Sequence, residues 1–206
     1  CDGCYIESSP INNKLLYLDT KDVDQYLQQI KKDNFSCETI GFTGGEPFMN
    51  KDIISIINLC SKENYNILIL TNAMQPMLNK VKELKTFAAY KKLTIRVSLD
   101  HYTKEGHEYI RGKNTWDKAL KGIRWLADNK FNINIASRII NKNEKLVRKG
   151  FAKLFKDNNL IIDAYNKNDL VVFPEMNLQS DTPEITTDCW DILNTDPKNM
   201  MCSNSR

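Results

Sequence analysis

A short segment, Gly44-Gly45-Glu46-Pro47, combines residue types that are suited to holding a charged ligand. Two adjacent glycines let a ligand approach the backbone closely, because no Cβ stands in the way. A carboxylate directly after them accepts hydrogen bonds from a ligand ammonium group. Pro47 keeps Glu46 out of the helical region and stiffens the exit of the turn. The same four residues also suit an ordinary strand-to-helix turn, so this segment alone does not define a site.

Six cysteines are present, and only two of them have the spacing of metal ligands. Cys1 and Cys4 form a Cys-x2-Cys pair at the start of the sequence. In a soluble α/β chain of this size, such a pair serves metal or redox chemistry more often than a disulfide scaffold. Cys37 opens a predicted strand and Cys60 falls on the apolar face of a predicted helix, which predicts that both are core residues.

Apolar periodicity predicts the elements that must position these residues. The predicted strands span residues 39–43, 66–71, 93–99, 131–139 and 170–173. The continuous apolar run over 66–71 is typical of a strand that is covered on both faces. Helices are predicted between them, the first beginning at a cap formed by Asp19 or Thr20 and carrying Val23, Tyr26, Leu27 and Ile30 on its apolar face. The others span about 53–63, 77–89, 116–127 and 143–157, and residues 102–114 are predicted to form a loop.

Strands that alternate with helices and are nearly all apolar predict an α/β fold with a parallel sheet and helical crossovers. Five strands are visible, and the cysteine loop at the front needs another strand before it. Polar residues gather where the strands end, and ligands of parallel α/β proteins bind at those carboxyl ends. Periodicity alone does not separate an open sheet from a partial barrel.

Composition excludes several classes of protein. The 206 residues fit one domain, and 29 Lys+Arg against 26 Asp+Glu leave no polybasic block for nucleic acid or a membrane surface. No apolar run reaches membrane-spanning length and no signal peptide is recognised, which predicts a cytoplasmic protein. Residues 177–206 lose periodicity, so we expect a core domain over 1–176 and the start of a C-terminal extension over 177–206.

With these motifs in place, the sequence resembles the radical S-adenosylmethionine (SAM) enzymes over about residues 1–174. Cys1-Asp2-Gly3-Cys4 matches the last two cysteines of the family's Cys-x3-Cys-x2-Cys loop, and Thr43-Gly44-Gly45-Glu46-Pro47 matches its second motif. Three further segments resemble the branch that includes molybdenum-cofactor enzymes and peptide-modifying maturases: Ser98-Leu99-Asp100, His107-Glu108 and Arg111-Gly112.

The resemblance implies a partial (β/α)6 TIM-like barrel of parallel strands, with the first strand missing from this chain. It implies a [4Fe–4S] cluster held by Cys1 and Cys4 together with a third cysteine, and SAM chelated to the open iron. Reductive cleavage of SAM would then give a 5′-deoxyadenosyl radical that acts on an unknown substrate. A small molecule or a peptide as substrate, and flavodoxin or ferredoxin as reducing partner, are the partners implied.

The resemblance also implies which residues bind SAM. The first four belong to the glycine turn and would hold the methionyl ammonium group: Gly44, Gly45, Glu46 and Pro47. The other four lie at later strand ends: Asn72 for the methionyl or ribose edge, Ser98 and Asp100 for the ribose, and Arg138 for the carboxylate. Plainer interpretations stay open, in which Asn72 closes a strand, Ser98 is a core polar residue and Arg138 forms a surface ion pair.

One family cysteine would lie four positions before Cys1 and is absent. We therefore expect the chain to be a fragment that is inactive as given, whose gene encodes that cysteine and an apolar strand upstream. The alternative is a noncatalytic α/β binding protein, tethered through a lipidated Cys1 or holding a structural metal at Cys1 and Cys4. A thioredoxin-like motif is disfavoured, because residues 5–13 are not helical in pattern.

Overall fold

The structure, a computed structural model, describes residues 16–139 and 143–173. These residues all lie in the first of two compact units, Cys1–Glu175 and Met176–Arg206. The predicted boundary after residue 176 lies outside the described residues and stays a prediction.

Parallel strands alternate with helices along the described chain. The strands are β1 (Thr39–Phe42), β2 (Asn66–Thr71), β3 (Leu93–Ser98), β4 (Asn132–Arg138) and β5 (Leu170–Phe173). The helices are α1 (Thr20–Lys32), α2 (Ile53–Lys62), α3 (Gln75–Leu78), α4 (Val81–Leu84), α5 (Lys104–Arg111), α6 (Trp116–Asp128) and α7 (Glu144–Asp157). Two short 3-10 turns lie at Pro47–Met49 and Lys85–Phe87.

The strands form one parallel sheet in the order β1-β2-β3-β4-β5. Because the spatial order follows the chain without reversal, every helical crossover turns in the same sense, as in one arc of a barrel. The sheet is not closed by the strands that the structure describes. The expected α/β fold of parallel strands is therefore confirmed.

The two faces of the sheet differ in burial. One face packs on the helices and forms the core, with Ile69, Ile95 and Ile135 fully buried. Residues of the opposite face, here called the inner face, are half-buried or exposed: Leu68, Leu70, Thr94, Arg96, Ser98, Asn132, Asn134 and Arg138. The expectation that the apolar run of β2 is covered on both faces holds only in part within the described residues.

Three features differ from the sequence-based expectations. The predicted loop over 102–114 contains α5, which buries only His107 and therefore shows no apolar stripe. The predicted helix over 77–89 is divided at Asn79 and Lys80 into α3, α4 and a 3-10 turn. Tyr26, expected on the apolar face of α1, is 58% exposed.

Other expectations are confirmed. Asp19 caps α1 by accepting hydrogen bonds from the backbone N–H groups of Lys21 and Asp22. Cys60 lies fully buried in the core as expected, whereas the expectation that Cys37 is a core residue is wrong, because Cys37 is only half-buried. None of the helices described is both long and apolar enough to cross a membrane.

Candidate functional site

All eight predicted ligand-binding residues lie where strands β1 to β4 end. The glycine turn follows β1, Asn72 follows β2, and Ser98 is the last residue of β3. Arg138 is the last residue of β4. Because the strands are parallel, their carboxyl ends share one edge of the sheet, which we call the carboxyl edge. Register brings neighbours together: Thr71 pairs with Val97 and Ser98 with Ala136, so Asn72 and Ser98 lie side by side.

Gly44 occupies a backbone conformation that requires glycine. Its φ is 133°, where an L side chain is strained. An added Cβ would have no heavy atom within 4 Å among the described residues, so the backbone here is open to a ligand. Glu46 is extended at φ −145° and ψ 110°, as expected before proline. Pro47 then begins the 3-10 turn, in which Pro47 and Phe48 are buried.

The Glu46 carboxylate fastens the glycine turn to the end of β2. Its Oε1 accepts hydrogen bonds from Thr71 Oγ1 at 2.7 Å and from the Phe48 N–H at 3.2 Å. Its Oε2 accepts from the Asn72 N–H at 2.8 Å. Burial raises the pKa of Glu46, while these hydrogen bonds and the positive charge of Arg111 oppose that rise. The turn after β1 and the end of β2 therefore form one connected unit.

Asn72 has a local structural role. Its backbone N–H donates to Glu46, and its side-chain Oδ1 accepts from the Met74 N–H at 2.9 Å. The Oδ1 atom closes the turn that leads into α3, as the plainer interpretation of Asn72 expects. The amide Nδ2 donates to no residue that the structure describes.

Asp100 lies between two arginines. Its Oδ2 accepts from Arg111 Nε at 2.5 Å, and its Oδ1 lies 3.4 Å from Arg138 Nε. The Asp100 side chain is 5% exposed, whereas that of Arg138 is 41% exposed. A buried carboxylate held by two guanidinium groups is well compensated, and it fixes both arginines in place. The predicted contact of Asp100 with a ribose is not tested and stays a prediction.

The two histidines, His101 and His107, are near Asp100 in the chain and are not catalytic candidates. His101 Nδ1 accepts from the Thr103 N–H at 2.9 Å, and its ring stacks on Tyr102. His107 is 1% exposed and packs edge-on against Trp116, and neither ring nitrogen has a hydrogen-bond partner among the described residues. Burial lowers the pKa of His107 to about 4, so the ring is neutral at pH 7.

The predicted cluster ligands Cys1 and Cys4 lie outside the described residues, as do Cys189 and Cys202. Within 16–139 and 143–173, no group of three or more His, Cys, Asp or Glu residues has the arrangement of a metal site. Burial raises the pKa of the Cys60 thiol to about 11, which makes it a poor metal ligand and nucleophile.

Two residues of the site were not singled out from the sequence. Thr71 ends an apolar strand and showed no functional signal of its own. Arg111 was noted only as part of Arg111-Gly112, and the structure gives it a definite contact, the ion pair with Asp100. The sequence offered no signal for this contact, because residues 102–114 were predicted to form a loop, whereas on α5 Arg111 follows His107 by one helical turn and faces the same way.

Comparison with known proteins identifies the class. Residues 1–145 match the family described as the radical SAM superfamily. The chain therefore belongs to the radical SAM superfamily, whose members use SAM and a [4Fe–4S] cluster as cofactors.

Individual relatives agree with this assignment. The chain is 29% identical over 148 residues to the antilisterial bacteriocin subtilosin biosynthesis protein AlbA of Bacillus subtilis, a match that covers 69% of the chain and 31% of AlbA. It is 26% identical over 128 residues to a probable GTP 3′,8-cyclase of Saccharolobus islandicus, covering 62% of the chain and 39% of that protein. The chain thus spans about a third of the length of the curated relatives that it matches.

Solved structures share the fold. Streptococcus suis SuiB bound to S-adenosylmethionine matches with a TM-score of 0.64 and 17% identity, over 89% of the chain and 40% of SuiB. SuiB bound to its precursor peptide SuiA matches with a TM-score of 0.61 and 17% identity, over 79% of the chain and 34% of SuiB. These likenesses show a TIM-like barrel fold, to which the described residues contribute five parallel strands.

Proposed function

We propose that the full-length protein is a peptide-modifying radical SAM enzyme that binds SAM at the carboxyl edge of the sheet. The observation that supports this most directly is the Glu46 carboxylate, which fastens the Gly44-Gly45 turn to the end of β2. That connection holds an open glycine backbone beside Asn72 and Ser98, with a half-exposed guanidinium one strand further along.

The residues present fit the methionyl part of SAM. Gly44 leaves room for close approach, and Glu46 retains acceptor capacity on Oε2, which receives only one hydrogen bond within the described residues. The Nη groups of Arg138 form no hydrogen bond with the described residues, and its side chain is 41% exposed. An ammonium group would therefore meet Glu46, and a carboxylate would meet Arg138. We assign Asp100 to holding Arg138 in position, which leaves Ser98 as the nearer group for a ribose.

Cys1 and Cys4 would hold the cluster together with a third thiolate. When bound, the reduced cluster and SAM supply the 5′-deoxyadenosyl radical. The chain's own contribution is to bind SAM in one orientation and to cover the carboxyl edge from water. A flavodoxin or ferredoxin is the proposed electron donor.

A peptide substrate is supported by the relatives rather than by a contact in this chain. AlbA is named as a bacteriocin biosynthesis protein, and SuiB has been solved with a precursor peptide. The GTP 3′,8-cyclase relative covers less of the chain at lower identity. We therefore propose a peptide in preference to a small molecule.

Anaerobic reconstitution of the full-length protein with iron and sulfide tests the proposal. We expect a brown protein with thiolate–iron charge-transfer absorption, which binds SAM in calorimetry and releases 5′-deoxyadenosine after reduction. A colourless protein that binds no SAM would favour a noncatalytic α/β binding protein instead.

A further inference from the structure

Arg96 occupies an unusual position for an arginine. It lies in the middle of β3 on the inner face, with Leu70 and Asn134 as its register neighbours on the adjacent strands. It is half-buried, and burial lowers the pKa of its guanidinium. The other strand arginine, Arg138, faces a carboxylate, and so do Arg111 and Arg148. Within residues 16–139 and 143–173, no acidic side chain forms an ion pair with Arg96.

The only side-chain partner of Arg96 in the described chain is an amide. Arg96 Nε donates to Asn134 Oδ1 at 2.9 Å. Because Nε can only donate, the oxygen of the Asn134 amide accepts this hydrogen bond, which leaves the Nδ2 group able to donate to another acceptor. The Nη groups of Arg96 and the Nδ2 of Asn134 have no acceptor among the described residues. Together they form a set of donors carrying one positive charge.

This set of donors fits a carboxylate. A guanidinium binds a planar carboxylate through two parallel hydrogen bonds, and an adjacent amide N–H adds a third. One positive charge balances one carboxylate, whereas a phosphate would retain excess negative charge beside Leu70. A half-buried arginine whose desolvation is not offset by an acid gains the most from such a ligand.

The position of Arg96 on β3 places the Arg96 and Asn134 donors close to the proposed SAM site. Arg96 precedes Ser98 by two residues on the same face of β3, which is about 6.6 Å along a strand. It therefore lies one layer of side chains below the carboxyl edge, inside the arc of the sheet. A substrate that reaches into the arc toward the carboxyl edge would pass this layer.

We propose that Arg96 and Asn134 form a subsite for a carboxylate of the peptide substrate, either an acidic side chain or a C-terminus. This inference rests on the proposed function, because that function is what makes the bound carboxylate part of a substrate. The binding of a carboxylate to the inner face can be measured separately from SAM chemistry.

The experiment uses the reconstituted full-length protein and a simple probe, N-acetyl-glutamic acid α-amide, titrated by NMR. We expect saturable binding that Arg96→Gln weakens roughly tenfold to hundredfold, the range for hydrogen bonds to a charged group. The matched control is Arg124→Gln, which removes an exposed arginine that also donates to an asparagine amide, Asn158 at 2.6 Å. The control should leave the affinity unchanged. The neutral probe N-acetyl-glutamine amide should bind the unaltered protein no more tightly than the acidic probe binds Arg96→Gln.

A second variant separates ligand binding from a purely structural role of Arg96. Asn134→Asp places a carboxylate of the chain itself beside the guanidinium, so it should maintain or raise stability and yet abolish binding of the probe. Unchanged binding in Arg96→Gln or in Asn134→Asp would overturn the proposal, as would the absence of binding to the unaltered protein. Tighter, Arg96-dependent binding of N-acetyl-O-phosphoserine amide, which has no carboxylate, would replace the carboxylate by a phosphate and overturn that choice.

The same titrations separate this subsite from the proposed function. Arg96→Gln should retain its cluster and its SAM affinity, because the residue lies one layer away from the carboxyl edge. A protein that binds the probe through Arg96 but takes up neither cluster nor SAM would contradict the proposed function. It would also remove the assignment of the carboxylate to a radical SAM substrate.

Discussion

The carboxylate of Glu46 has more acceptor positions than the protein uses. A carboxylate offers about four lone-pair positions, and three are taken by Thr71 Oγ1, the Phe48 N–H and the Asn72 N–H. The fourth is on Oε2, the oxygen that meets Asn72. One side chain can therefore fasten the turn and also accept a hydrogen bond from a ligand ammonium group.

Replacing Glu46 with Gln separates these two roles. The new NH2 group would face an N–H or O–H donor of Asn72, Phe48 or Thr71, and the negative charge would be lost. We expect SAM affinity in the full-length protein to fall by roughly 1.5–3 kcal/mol and the free energy of unfolding to fall by about 1–3 kcal/mol. Calorimetry and chemical denaturation measure the two effects.

Glu105→Gln is the matched control, because Glu105 is exposed on α5 and the chemical change is the same. It should alter neither quantity by more than about 0.5 kcal/mol. Lower stability with unchanged SAM affinity in Glu46→Gln would leave Glu46 with the fastening role alone.

His107 makes the stability of the core depend on pH. The folded protein holds its pKa near 4, against an ordinary value of 6.5, chiefly through burial and secondarily through the charge of Arg111. Between these two values the unfolded chain binds a proton that the folded protein does not bind. The free energy of unfolding therefore falls as the pH drops from about 6.5 toward 4, and the effect is absent above pH 7.

His107→Leu should remove this dependence, since it replaces an ionisable ring by an apolar side chain of similar volume. The two buried ring nitrogens without partners disappear as well. We expect the stability lost by the unaltered protein between pH 7 and pH 4 to shrink by about 3 kcal/mol in the variant. Urea denaturation at a series of pH values measures it, and parallel profiles for both proteins would contradict the assignment to His107.

At the scale of elements, α6 packs directly against the loop that follows β2. A Cβ on Gly122 of α6 would overlap the carbonyl oxygen of Ala73. Ala73 itself has a φ of 55°, so the loop has little freedom to move away. Since Ala73 follows Asn72, this contact helps to set the position of the candidate site.

Gly122→Ala should therefore destabilise the protein by about 1–3 kcal/mol, the usual cost of adding atoms to a close contact. Gly41→Ala is the matched control, because an added Cβ on Gly41 of β1 meets no described atom within 4 Å. Its stability should be unchanged or slightly raised. Chemical denaturation compares the two, and equal stabilities would contradict the close packing of α6 on the loop.

The elements differ in how well the sequence predicts them, for physical reasons. Strands β2 and β3 and the helices α1, α2, α6 and α7 bury apolar residues at regular spacing, and the periodicity predicts them. Helix α5 buries a single residue, a histidine, so only the cap formed by Thr103 was available as a signal. Asn79 and Lys80 divide the predicted helix over 77–89 without a proline at the break, which residue spacing does not show.

The candidate site was predicted less completely than the sheet. Its location at the carboxyl edge follows from parallel strands and from motif positions alone. The side-chain partners do not, because Glu46 with Thr71 and Asp100 with Arg111 are contacts between elements. Such pairs depend on how the helices and loops that follow each strand pack together, and no local sequence pattern encodes that packing.

At the scale of the whole molecule, the radical SAM assignment requires that the cluster ligands meet the carboxyl edge of the sheet. One small ligand must contact both the cluster and the glycine turn. We therefore predict that Cys1 and Cys4 lie beside the Gly44–Pro47 turn. Thiol cross-linking of the cluster-free full-length protein tests this placement without any need for activity.

Met49→Cys places a thiol directly after the turn, where Met49 is 58% exposed. Lys91→Cys, also at an exposed position, places a thiol at the opposite edge, two residues before β3 begins. With Cys37, Cys189 and Cys202 replaced by serine, Cys60 remains buried and unreactive at neutral pH. A short thiol cross-linker should join Cys1 or Cys4 to position 49 and not to position 91, as mapped by mass spectrometry. Links to position 91 alone would place the cysteines at the amino ends of the strands, where they could not share a ligand with Gly44 and Arg138.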